Sequence, residues 1–325
     1  MRTTAGRRTL AATAMGATTA PDLALDLERL DRAVEAAIAA GDPRGLRVLG
    51  YGEITLVLGW PTEAPELAVK RLPPFAGADA AERYAALLRD YVSALRARGV
   101  GVVETGVRIA PGAAGTARAY LVQRLVPRRR LLNETLRAGP EHEHAVALLD
   151  RLAAAATAID GVVGLDAQAS NWVVQDDGGL ACLDLSTPML RDAAGRDRLD
   201  LDVFLSIYPW ALRGALRRVA RGLLGDFHDP RTVLLDAASN LHKERLDRFV
   251  PPLLASANAR LPAAPIAHEE VARYFTRDRR LWLLMQRLRR ADRAWQRRVR
   301  RRDYPFLLPP PYAYGPPELP EEAPR

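Results

Sequence analysis

The chain has 325 residues, 48% hydrophobic and 26% charged, a composition typical of a folded globular protein large enough for two domains. It holds no apolar run near the roughly 20 residues that a membrane-spanning helix needs. Its single cysteine, Cys182, excludes an internal disulfide and favours a reducing cytoplasm. The net charge of +8 comes from arginine, because only Lys70 and Lys243 among the 47 basic residues are lysines. A lysine in such a chain indicates a position that needs a compact, flexible ammonium.

The first 20 residues are basic and contain no acidic residue. We interpret residues 1–20 as a disordered leader, or as the product of a start placed ahead of a true start at Met15. An export signal is the alternative, but the apolar stretch after Arg7 and Arg8 is short and consists mainly of alanine and threonine.

The first half of the chain alternates between strand and helix patterns. In chain order it predicts a helix over 22–40, two strands within 46–60 separated by a glycine turn, a strand over 66–72, a helix over 78–98, and paired strands over 102–109 and 118–125. This order predicts a small α+β lobe over residues 21–126.

The second half is mainly helical. It predicts a helix over 141–159, a hairpin that turns at Asp177-Gly178, helices over 200–303 interrupted by prolines, and an extended proline-rich tail over 305–325. We therefore expect a helical lobe over 127–304, joined to the first lobe by a hinge near 123–126.

Two features of the first half fit a phosphate site. Gly50 and Gly52 lie at a turn between strands, where backbone N–H groups can approach phosphate oxygens. Alone, such a pair is more typical of an ordinary hairpin. Lys70 ends the next strand, and an ammonium there can hold phosphates.

Three polar residues in the second half fit a Mg2+ site. Asp166 precedes Asn171 by five residues in one loop, so the aspartate can orient a nucleophile while the asparagine ligates a metal. Asp184 follows the hairpin and offers a further oxygen ligand. Mg2+ binds few protein carboxylates and completes its shell with phosphate oxygens and water. Together with Lys70, these residues predict a phosphate and Mg2+ site.

In these motifs the sequence over 46–190 resembles the protein kinase and aminoglycoside phosphotransferase superfamily. The whole chain also resembles an uncharacterised family of bacterial kinase-like proteins. The resemblance implies a bilobal kinase-like fold and an ATP- and Mg2+-dependent transfer of the γ-phosphoryl group to a hydroxyl of a small molecule. Lys70 would pair the ATP phosphates, Asp166 would orient the acceptor hydroxyl, and Asn171 and Asp184 would hold Mg2+.

The resemblance implies two further contacts. The adenine would lie at the hinge around Gln123, Arg124 and Leu125. A carboxylate on the helix over 78–98 would fix Lys70, and Glu82 and Asp90 both remain candidates for it.

The sequence departs from the superfamily pattern at several positions. Thr55 replaces the third loop glycine, and Gly164 and Leu165 stand where a histidine or arginine would precede the catalytic aspartate. Gln168 replaces a lysine or histidine, and Ser186 replaces the hinge glycine after the metal aspartate. These departures argue against a regulated protein kinase. They leave a small-molecule phosphotransferase, a pseudokinase that acts as a nucleotide-binding sensor or scaffold, or a nucleotidyl (AMP) transferase.

Residues 273–302 contain thirteen arginines. Their apolar positions recur at helical spacing: Leu281, Met285, Leu288, Trp295 and Val299. We interpret this segment as a terminal helix that packs through the apolar stripe and exposes its arginines. The alternative is a surface for nucleic acid or anionic lipid.

Overall fold

The computed structural model describes residues 25–51, 56–206, 208, 210–262, 264–299 and 301. The predicted leader and proline-rich tail lie outside the described residues, as do Gly52 and Thr55 of the predicted phosphate loop. The first elements are α1 (Leu27–Ala40), β1 (Arg47–Tyr51), β2 (Leu56–Trp60), β3 (Leu67–Arg71), α2 (Ala78–Ala97), β4 (Gly101–Val102), β5 (Gly106–Pro111) and β6 (Ala117–Arg124).

Five of these strands form an antiparallel sheet in the order β1-β2-β3-β6-β5. Side chains alternate between its faces, as period-two geometry requires. Tyr120 and Val122 of β6 pack with α1, whereas Ala119 and Leu121 pack with α2. The chain is therefore of the mixed α+β class, with one helix on each face of the sheet.

The two faces of β3 have different partners. The Arg71 guanidinium lies 2.6 Å from the Glu35 carboxylate of α1. Lys70 is the next residue along the strand and therefore points to the other face, toward α2 and the second half of the chain.

The second half contains α3 (Leu132–Arg137), α4 (His142–Thr157), β7 (Trp172–Val174), β8 (Leu180–Cys182), α5 (Leu201–Leu205), α6 (Trp210–Asp226), α7 (Pro230–Lys243), α8 (Val250–Asn258) and α9 (His268–Arg298). The predicted hairpin is confirmed as β7 and β8, which pair antiparallel. The single strand predicted over 102–109 is wrong in part. Of this range, the large sheet contains only β5, which begins at Gly106, whereas Val102 belongs to β4, which pairs parallel with β8.

Two of the proline positions begin helices. Pro230 opens α7, where the Asp229 carboxylate accepts a hydrogen bond from the Thr232 N–H at 3.0 Å. Pro251 and Pro252 occupy the first turn of α8. Proline suits a first turn, where its missing N–H costs no intrahelical bond.

One continuous core joins α2 to the helices of the second half. It includes Leu95, Leu148, Leu234 and Leu253, each fully buried. None of the helices in the described ranges is long and apolar enough to cross a membrane.

The predicted apolar stripe of α9 is wrong at its end. Trp295 and Val299 are 55% and 57% exposed, while the polar residues Gln286, Arg289 and Asp292 are buried. Leu281 and Met285 have side chains outside the described set. The second half of α9 therefore buries polar side chains, while Val271 near the start of the helix is buried in the apolar core.

Candidate active site

Lys70 and Asp184 meet across 114 residues of sequence. The Lys70 ammonium donates to Asp184 Oδ2 at 2.7 Å and to Ser186 Oγ at 2.9 Å. Strand β3 positions the lysine, and the end of β8 positions the aspartate. The predicted phosphate-binding cation and the predicted metal ligand therefore lie side by side.

The loop after α4 holds the second predicted pair. Asp166 Oδ2 accepts from Asn171 Nδ2 at 2.9 Å, and Asp166 Oδ1 accepts from the Gln168 N–H at 3.0 Å. The alternate residues Ala167 and Ala169 are buried in the core. The two buried alanines anchor the loop in the core, and the two hydrogen bonds hold the Asp166 carboxylate in one orientation.

One backbone hydrogen bond joins this loop to the segment that carries Asp184, and a side chain of β6 contacts the same segment. The Leu183 N–H donates to the Asn171 carbonyl at 2.7 Å, and Gln123 Nε2 donates to the Leu183 carbonyl at 2.8 Å. Burial raises the pKa of Tyr91 most, and the nearby Cys182, Asp166 and Asp184 side chains raise that pKa further. The two predicted pairs therefore share one local environment.

Helix α2 contacts the site through a tyrosine, and neither predicted carboxylate contacts Lys70, which donates to Asp184 and Ser186. Glu82 is exposed, and Asp90 pairs with Arg198 at 2.7 Å. The buried Tyr84 instead donates from its hydroxyl to the Ser186 carbonyl at 2.8 Å. The apolar spacing of α2 turns Tyr84 inward and the two acidic residues outward.

Ser186 holds Asp184 in place, a role that the sequence did not reveal. Its hydroxyl and its backbone N–H donate to Asp184 Oδ1 at 2.7 and 3.0 Å. Burial acts to raise the pKa of Asp184, but the Lys70 ammonium and the Ser186 hydrogen bonds together hold that pKa below its ordinary value. The carboxylate is therefore ionised at neutral pH.

Gln168 points away from Asp166, toward α7. Its amide lies 3.3 Å from Asp236 Oδ2, and that buried carboxyl also accepts from Asn240 Nδ2 at 3.0 Å. Tyr274 of α9 hydrogen-bonds the same carboxyl. Burial, and then the charge of Asp278, raises the pKa of Asp236 to about 6. Gln168 thus connects the loop to a network on α7 and α9 that sequence spacing did not indicate.

Gly164 is required by close packing. A Cβ there would lie 2.9 Å from both Met189 Cβ and the Phe227 carbonyl oxygen, and 3.1 Å from the His228 ring. The buried His228 belongs to the turn before α7, and its Nδ1 lies 2.8 Å from the Leu224 carbonyl. The His228 ring therefore lies beside Gly164 and leaves little room there for a larger residue.

The remaining predicted contacts lie at the sheet. Gly50 is the penultimate residue of β1, and a Cβ there would meet no described atom within 4 Å. Gln123 donates toward the Asp184 segment as described above. The Leu125 N–H donates to the Glu66 carbonyl at 2.8 Å, so that donor already has a partner just beyond the ends of β6 and β3.

The donor set favours a cation that needs few protein ligands. Within the described ranges, no group of three or more histidine, cysteine, aspartate and glutamate side chains could hold a metal. Asp184 supplies one ionised carboxylate. Asn171 supplies an amide oxygen, because its nitrogen is turned toward Asp166. One carboxylate and one amide suit Mg2+ shared with phosphate oxygens better than a metal held by the protein alone.

Comparisons with known proteins give a family and no activity. The chain has no match among curated proteins. Among solved structures it is similar to a 2.2 Å crystal structure of WbdD, with 16% identity and a TM-score of 0.31. That alignment covers 69% of this chain and 48% of WbdD, so the chain spans about half the length of that protein. A family model described as a family of unknown function, DUF6206, matches residues 29–293, and the chain therefore belongs to this family.

Proposed function

We propose that this protein is an ATP- and Mg2+-dependent phosphotransferase that passes the γ-phosphoryl group to a hydroxyl of a small molecule. Its fold is then a bilobal protein-kinase-like one, with a small lobe over 21–126 and a helical lobe over 127–304.

The observation that carries the proposal is the contact of Lys70 with Asp184. A lone lysine on a strand is ordinary, but this one is drawn to an ionised carboxylate beside the Asp166–Asn171 pair. Phosphoryl transfer depends mainly on positioning and charge neutralisation, and these four side chains supply a cation, two carboxylates and an amide.

Each side chain has a role that follows from its contacts. Lys70 would turn from Asp184 toward the phosphate oxygens, and Asp184 and Asn171 would hold Mg2+. Asp166 would accept the proton of the acceptor hydroxyl. The hydroxyl oxygen would form the bond to the γ-phosphorus as the bond to ADP breaks. Bound Mg2+ would supply neutralisation of the phosphate charge. Ser186 would keep the Asp184 carboxylate oriented while Lys70 moves.

A second candidate rests on Gln168. Gln168 is uncharged, and its side chain contacts Asp236. No lysine or histidine at this position therefore offers a positive charge to a phosphoryl group that is being transferred near Asp166. Losing one such electrostatic contact typically raises the barrier by about 3 kcal/mol. A nucleotide-binding sensor with slow or absent turnover fits this feature.

Labelled ATP distinguishes these functions. The protein is incubated with Mg2+, a panel of hydroxyl-bearing small molecules, and ATP labelled at either the γ- or the α-phosphate. We expect γ-label on an acceptor, and a rate about 100-fold or more lower in Asp166→Asn, because general-base catalysis typically contributes 10²–10⁴. Asp79→Asn, the same change at an exposed position of α2, is the control.

The other outcomes overturn the proposal. α-Label on the acceptor identifies nucleotidyl transfer. ATP binding without transfer to any acceptor supports the sensor. An unchanged rate in Asp166→Asn contradicts the role assigned to Asp166.

A further inference from the structure

The outward face of α9 carries a row of arginines. Arg273, Arg277, Arg280, Arg287 and Arg298 are all exposed, at intervals of 4, 3, 7 and 11 residues. Each interval is close to a whole number of helical turns, so the five side chains share one face along about 37 Å of helix. We call this row the arginine face.

Within the described residues the arginine face makes no salt bridge, although the charges of Arg277 and Arg273 act at longer range on the Asp226 and Glu270 carboxylates. Within the described ranges, no carboxylate lies at salt-bridge distance from these five guanidinium groups, although other arginines form such pairs, as Arg231 does with Glu270 at 2.7 Å. Arg273, Arg277 and Arg280 also line a surface depression together with Thr276. Five positive charges in one line, none of them held in a salt bridge, favour an anionic surface.

Apolar side chains interrupt the arginine face. Leu284 and Trp295 are 53% and 55% exposed, and Val299 just beyond the helix is 57% exposed. Leu284 follows Arg280 by four residues, and Trp295 follows Leu284 by eleven, so both lie on the same side as the arginines. These are three of the five large apolar residues exposed in the described ranges, so such exposure is concentrated on this helix.

We propose that the arginine face docks on a membrane surface rich in anionic lipid. A straight row suits a plane, and arginine heads would meet the lipid phosphates. Leu284 and Trp295 would enter the interfacial layer, where tryptophan is favoured. Duplex nucleic acid would also attract the arginines, but a phosphate backbone gives exposed leucine and valine side chains no partner.

Vesicle sedimentation of the full chain tests the arginine content of the surface. Phosphatidylcholine vesicles with 30% phosphatidylserine are compared with vesicles of phosphatidylcholine alone, at 50 and 500 mM NaCl. Each basic residue near such a surface strengthens binding by about fivefold. The triple variant Arg273→Gln/Arg277→Gln/Arg280→Gln should therefore bind the anionic vesicles on the order of 100-fold more weakly. High salt should weaken wild-type binding more than tenfold.

A matched variant separates the arginine face from net charge. Arg47, Arg83 and Arg96 are exposed residues of β1 and α2 with no salt bridge in the described structure. Their triple change to glutamine removes the same charge and should alter vesicle binding less than fivefold. If both triple variants lose binding equally, binding reflects net charge alone and the proposal is wrong.

Trp295 reports insertion. Its fluorescence should shift to shorter wavelength on anionic vesicles, and the shift should be absent in Trp295→Phe, which retains binding. A 20-bp DNA duplex that binds more tightly than vesicles of equal phosphate content, without this shift, would assign the arginine face to nucleic acid and overturn the proposal. Binding to neither, or a shift that persists in Trp295→Phe, would also overturn it.

Discussion

Replacing Lys70 with methionine removes the ammonium that balances Asp184. The two side chains are 16% and 35% exposed, which places their pair between two known regimes. Exposed pairs contribute about 0–1 kcal/mol, and breaking a buried pair costs about 3–5 kcal/mol. We expect Lys70→Met to lower the free energy of unfolding by about 2 kcal/mol at pH 7.

This loss should depend on pH. In the wild type the folded-state pKa of Asp184 lies below its ordinary value of 3.8, so the associated stability is present above pH 3.8 and lost as the pH falls through the lowered pKa. Lys70→Met removes the largest of the causes that lower it. The difference in stability between wild type and variant should therefore shrink toward acid pH.

Urea unfolding of a double-mutant cycle measures the pair directly. We expect Lys70→Met and Asp184→Asn to show a coupling energy of about 1–3 kcal/mol. The control cycle, Arg198→Met with Asp90→Asn, breaks a more exposed pair of equal length, 2.7 Å, and should give less than about 1 kcal/mol. A coupling for Lys70 and Asp184 no larger than that of the control would refute the reasoning.

Two further predictions concern the surroundings of the loop. The pKa of Asp236 is raised from 3.8 to about 6, so this carboxyl favours unfolding increasingly as the pH rises between those values. Asp236→Asn should therefore gain stability relative to wild type by up to about 3 kcal/mol between pH 4 and pH 7, and a constant difference in urea titrations would contradict this. Gly164→Ala should cost about 1–3 kcal/mol because its methyl group would meet Met189 and the Phe227 carbonyl. Gly161→Ala, at a position with no described atom near the added Cβ, is its control and should change stability little.

Local sequence patterns predicted most elements well. Alternation and glycine spacing located β1, β2 and β3, and the Asp177-Gly178 turn located the hairpin of β7 and β8. Strands and tight turns depend on residues that are neighbours in sequence, so local patterns are enough to predict them. The parallel pairing of β4 with β8 joins distant segments and left no local pattern.

Sequence spacing indicated some of the contacts among the predicted residues, but not the side chains that hold them in position. Asp166 and Asn171 share one loop, so their contact follows from spacing. Apolar spacing within α2 accounts for the burial of Tyr84, yet the carbonyl that accepts from its hydroxyl lies 102 residues away. Asp236 and Ser186 also act across tertiary contacts. Buried polar groups of this kind resemble ordinary helix and loop residues in sequence.

The binding of Mg2+ and ATP tests the central claim most directly. Thermal melting is followed for the wild type, Asp184→Asn and the control Asp79→Asn, with and without Mg2+ and ATP. Ligand at 100 times its dissociation constant adds about 2.7 kcal/mol, which corresponds to about 4 °C for a chain of 325 residues. We expect this shift in the wild type and in Asp79→Asn only when metal and nucleotide are both present, and no shift in Asp184→Asn. Equal shifts in all three proteins, or none in the wild type at millimolar ATP, would contradict a phosphate and metal site at Lys70 and Asp184.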